Sequence, residues 1–90
     1  MLSETQKKQF TQRAKDEAKM ILEELSIVSL NDDNICDLQE KLDLRVSSLV
    51  SRQEDGEKID EDLLEIYDLL TDIVLVNEEE LDFLNSLFFD

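Results

Sequence analysis

Carboxylates are the only abundant reactive side chains in this sequence. Twenty-four Asp and Glu residues stand against nine Lys and Arg, one cysteine, one tyrosine and no histidine. Acid–base catalysis needs carboxylates in environments that push their pKa values apart. Here they gather beside turn signals and on the polar faces of helical stretches, which gives solvated charge rather than a tuned pair. Without histidine, the commonest general base and metal ligand is missing, and Ser-His-Asp and Cys-His arrangements cannot form. Cys36 then has no base to activate it and reads as a small hydrophobe at the margin of an apolar stripe. The single glycine, Gly56, excludes a glycine-rich phosphate cradle. No catalytic residue, metal site or cofactor is expected, and the chain reads as a non-enzyme.

Two short stretches resemble known motifs. The stretch around Gly56 resembles the helix–loop–helix layout of EF-hands. That alignment puts Ser51, Gln53 and Asp55 at the first ligand positions and Asp62 at the last, where the pattern needs Asp first and a bidentate Glu last. Both departures strike the strongest ligands, so calcium binding is not expected. Leu84-Asn85-Ser86-Leu87-Phe88 is slightly similar to the peptide that binds bacterial sliding clamps, but it lacks the leading Gln.

The distribution of charge is more informative than the net value of −15. Five basic and five acidic residues cancel over residues 1–30, so residues 31–90 carry the whole excess. From Glu54 onward, fourteen carboxylates face one lysine, Lys58. Such a surface repels nucleic acid and anionic membranes and attracts basic partners.

These side chains must be positioned by helices. There is no proline, no alternating strand pattern, and 41% of residues are hydrophobic. The pattern predicts one domain, residues 1–90: a compact all-α bundle of about four helices, spanning roughly 3–28, 32–54, 60–76 and 78–89. Ser3 and Gln6 form a capping box at the first start. Phe10, Ala14, Ala18, Ile21, Leu25 and Val28 form its apolar stripe, with Met20 and Ile27 opposite. Asn31 or Asp32 caps the second helix, whose stripe is Ile35, Leu38, Leu42, Val46 and Leu49. Gly56 ends it in a left-handed conformation.

The third helix is central. Asp60 caps it, and from Leu63 to Val76 ten of fourteen residues are apolar, wider than a one-sided stripe. Asn77 is expected to cap the fourth helix, with Glu80 completing a capping box and Val76 stapled onto Leu81. That helix is apolar at six of its last ten positions, a surplus that a bundle face or a partner must cover.

Leu63–Val76 is too short to span a bilayer and carries Glu65, Asp68 and Asp72. The opening residues lack the apolar run of a secretory signal. A soluble, cytoplasmic protein is expected, one that contacts neither membrane nor nucleic acid directly. The leading functional expectation is a small interaction module (regulator, adaptor, assembly chaperone or inhibitor). Its apolar anchor would be Phe83, Leu87 and Phe89. Its acidic surface would be Asp60, Asp62, Glu65, Asp68, Asp72, Glu78, Glu79 and Glu80, facing a basic protein partner. The alternatives are a DNA mimic built on that acidic row and a homo-oligomeric subunit, such as a homodimer joined through the last helix.

Overall fold

The computed structural model describes all 90 residues and contains helices only. Five helices form: α1 (Glu4–Gln9), α2 (Gln12–Glu24), α3 (Ile35–Glu54), α4 (Glu61–Val76) and α5 (Leu81–Phe89). The all-α bundle expected from the sequence is the observed fold, with one helix more than the expected four.

The extra element arises because the first predicted helix is broken. Ser3 and Gln6 do form the reciprocal capping box, but Phe10 leaves helical geometry with ψ 77°. Thr11 then turns extended, and its Oγ1 accepts from the Ala14 N–H to start α2. The break sets the Phe10 ring 6.1 Å from that of Phe88, joining the N-terminal segment to α5.

α2 also stops at Glu24, not at residue 28. Ser26 takes a left-handed conformation, φ 57°. Its N–H donates to the Glu23 carbonyl and the Ile27 N–H to the Leu22 carbonyl. This is a Schellman end with serine where glycine is usual. Once the helix stops, its periodicity no longer places side chains. Ile27, expected on the outer side, turns into the core, while Val28, expected on the stripe, is 89% exposed.

The next helix begins at Ile35 rather than Asp32, with Asn34 as an N-cap whose side chain makes no capping bond. Asn31 nevertheless caps the turn that leads in: its Oδ1 accepts from the N–H groups of Asp33 and Asn34. α3 ends as predicted. Gly56 has φ 87°, its N–H bonds the Gln53 carbonyl, and the Glu57 N–H bonds the Arg52 carbonyl. Asp60 then caps α4 through Leu63 N–H at 3.2 Å.

α3 and α4 form a helical hairpin, and Gln39 near the start of α3 reaches Glu78 just beyond the end of α4. α4 is the central element. It packs against α1, α2 and α3 and buries Ile66, Tyr67, Leu69, Leu70, Ile73 and Val74. The core is completed by Ala14, Ala18, Ile21 and Leu22 from α2, Ile27 and Leu30 from the loop after it, Ile35, Leu38, Leu42 and Leu49 from α3, and Leu84 and Phe88 from α5. α5 is pinned by a two-way clamp: Asn85 Oδ1 accepts from Leu30 N–H and its Nδ2 donates to the Leu30 carbonyl.

The expected role of Asn77 is reversed. It closes α4 instead of opening α5: its backbone N–H and its Nδ2 both donate to the Ile73 carbonyl. Its Oδ1 accepts from the amino group of Met1, and the residue is 2% exposed. α5 starts after Glu80, which makes no side-chain cap. The predicted staple from Val76 is absent, since Val76 is 66% exposed.

Candidate interaction surface

α4 presents two faces with different chemistry. The inner face supplies the core. The outer face is set by helical geometry: at 100° per residue, Glu61, Glu65, Asp68, Asp72, Leu75 and Val76 fall within an arc of about 100°. All six are exposed. The carboxylates recur at steps of four, three and four residues, a row about 16 Å long at 1.5 Å rise per residue. No ion pair involves Glu61, Asp62, Glu65, Asp68 or Asp72. Asp72 accepts one hydrogen bond, from Gln6 Nε2 at 2.7 Å.

The expected acidic set therefore divides. Glu65, Asp68 and Asp72 share the outer row. Asp62 lies at its flank and joins Glu65 and Asp68 along a cleft of about 620 Å³ whose far wall holds Gln9, Thr11 and Arg13. Asp60 is occupied by the fold: it caps α4 and pairs with Arg13 Nη2 at 2.6 Å. That Arg13 hydrogen bond, with the Leu63 N–H next, holds the Asp60 carboxyl below its ordinary pKa. Glu78, Glu79 and Glu80 sit in the turn after α4. Glu78 is bound by Gln39, and Glu80 pairs with the Met1 amino group at 2.8 Å. Of the three, only Glu79 makes no side-chain bond.

The apolar set divides too. Phe83 and Leu87 come together in a shallow groove of about 370 Å³ between α2 and α5, with Phe10, Lys15, Ser86 and Asp90. Phe89 lies outside it. All three are half-buried against the core, while Leu84 and Phe88 fill the interior. α5 thus seats most of its apolar surplus on the bundle itself.

Three members of the outer face were missed from sequence: Glu61, Leu75 and Val76. Counting back four from Glu65 finds the first, and counting three and four forward from Asp72 finds the others. The long apolar run obscured them by making Leu75 and Val76 look interior.

The remaining polar clusters serve structure. Glu24, near the end of α2, is bound by Arg45 of α3 with Lys41 at 3.7 Å, and the Arg45 hydrogen bond lowers its pKa. Tyr67 is buried and donates from its hydroxyl to Glu17 at 3.0 Å, which, after burial itself, raises its pKa. Cys36 is exposed, not at a half-buried margin. Ser51 and Gln53 lie inside α3, so the EF-hand alignment places two ligand positions on a helix rather than a loop. No helix is long and apolar enough to cross a membrane. No family model, curated protein or solved structure matches this chain.

Proposed function

We infer that the chain is a small acidic docking module: its outer α4 face receives a cationic surface of a protein partner, and it acts by binding rather than catalysis. The observation that carries this reading is the exposed row Glu61, Glu65, Asp68 and Asp72, fixed on one helix and making no ion pair within its own chain. Like charges held at 5–6 Å steps repel one another, and a basic partner converts that repulsion into attraction. Charge of this kind accelerates encounter and selects partners. The groove holding Phe83 and Leu87 offers a second, apolar contact next to Lys15.

The same regular row supports a second reading, a mimic of nucleic-acid phosphates. The two separate in one experiment: affinity capture from native lysate at low and high salt, with and without added DNA, read by mass spectrometry. Docking predicts a basic partner that is lost at high salt, is indifferent to DNA, and is not captured by the Glu61→Gln/Glu65→Gln/Asp68→Asn/Asp72→Asn variant. Displacement by DNA favours the mimic. An identical set of captured proteins from variant and parent overturns the acidic face as the site.

A further inference from the structure

We propose that Leu75 and Val76 form an apolar end-stop to the α4 carboxylate row, and that row and stop together receive one amphipathic helix with lysine or arginine at matching four- and three-residue steps and apolar residues at one end. This rests on the docking reading above and adds the partner's shape and register.

Leu75 is 59% exposed and Val76 66% exposed, adjacent on the last turn of the central helix. Singly exposed apolar residues are ordinary. This pair differs in two respects. First, it is rigidly held. The helix end cannot fray freely, because Asn77 is buried and bonds the Ile73 carbonyl through both backbone and side chain. Second, its surroundings select for charge. α4 has no basic residue in its last turn to offset the negative end of its dipole, and Asp72 shares the pair's outer face one turn earlier. A purely apolar partner would strip water from the row's carboxylates and leave them unpaired. A purely basic one would leave Leu75 and Val76 in water. A helix carrying both covers the whole face, and its 1.5 Å rise matches the row residue for residue over about 22 Å.

The test uses two synthetic helical peptides. Both carry lysines at 4-3-4 spacing; one has a leucine pair at each end, the other alanine there. Binding to the intact protein is measured by calorimetry. The expected result is that the leucine peptide binds about tenfold tighter, the scale set by burying apolar side chains. Leu75→Ser/Val76→Ser should erase that preference while leaving the alanine peptide's affinity unchanged. Both residues are exposed, so the variant should fold, which its helical circular dichroism checks. Equal binding of both peptides to the parent protein overturns the end-stop and leaves the docking reading standing. Binding of neither overturns the helical occupant, while the docking reading stands or falls by the capture experiment. A homodimer seen by sedimentation of the protein alone, and lost in the Leu75→Ser/Val76→Ser variant, would overturn the proposal by making a second copy the occupant.

Discussion

At the scale of single residues, neighbouring side chains have opposite weight for reasons that only local geometry reveals. Ile27 and Val28 are adjacent, yet one is in the core and the other in water. Ile27→Ser should lower unfolding free energy by about 2–4 kcal/mol, while Val28→Ser should change it by no more than about 0.5 kcal/mol. Chemical denaturation of both variants checks this, and a continuous helix through residue 28 would predict the reverse. Tyr67 offers a pH test. Burial and its bond to Glu17 raise its pKa above that of the unfolded chain. The folded state therefore holds the phenolic proton more tightly, so this contribution to stability is complete below the unfolded pKa and is lost as pH rises through the folded one. Tyr67→Phe should flatten that alkaline loss. As the chain has one tyrosine and no tryptophan, tyrosinate absorbance reports the shift directly. Asp60 and Glu24 act at the acid end with the opposite sign. Their lowered pKa values give stability above the unfolded carboxylate pKa that disappears as pH falls through the folded values.

At the scale of elements, the two left-handed helix ends make a matched pair. Gly56 at φ 87° has nothing within 4 Å of where a Cβ would stand, so Gly56→Ala costs only backbone strain, about 1–2 kcal/mol. Ser26 already bears such strain at φ 57°, and Ser26→Gly should recover up to about 1 kcal/mol. Thermal unfolding of the two variants should move in opposite directions. This pair also explains what the sequence revealed. Gly56 advertises its conformation, so the end of α3 was readable, as was the Asp60 start of α4. Ser26 does not, because serine reaches the left-handed region only where tertiary contacts such as the burial of Ile27 favour it. The α3 stripe was readable because an uninterrupted helix keeps its period, and Ile35, Leu38, Leu42 and Leu49 are all buried. Asn77 was misread because asparagine suits either end of a helix, and the choice was made by its burial beside Ile73 and Met1. Of the row, Glu65, Asp68 and Asp72 belong to the acidic set expected from sequence, whereas Asp60, Asp62, Glu78, Glu79 and Glu80 of that set fall outside it and Glu61 was missed; the apolar pair at its end was missed too, since composition alone cannot tell a helix enclosed on all sides from one whose last turn projects.

At the scale of the whole molecule, charge is unevenly compensated. Some of its side-chain ion pairs tie separate elements together, as Arg13 does to Asp60 and Arg45 to Glu24, yet none reaches the α4 row. With a net charge of −15 on 90 residues, self-repulsion outweighs these exposed pairs. Raising salt from low to moderate concentration should therefore raise the melting temperature, and a fall would mean that the pairs dominate. The same uncompensated charge is the basis of the proposed docking. Its most direct test is the affinity of a purified captured partner, measured against salt concentration for the parent protein and for Glu61→Gln/Glu65→Gln/Asp68→Asn/Asp72→Asn. A docking face on α4 predicts weaker binding by the variant, by tenfold or more at low salt as an order-of-magnitude expectation, and a shallower dependence on salt. Equal affinity and equal salt dependence for the two proteins would contradict it.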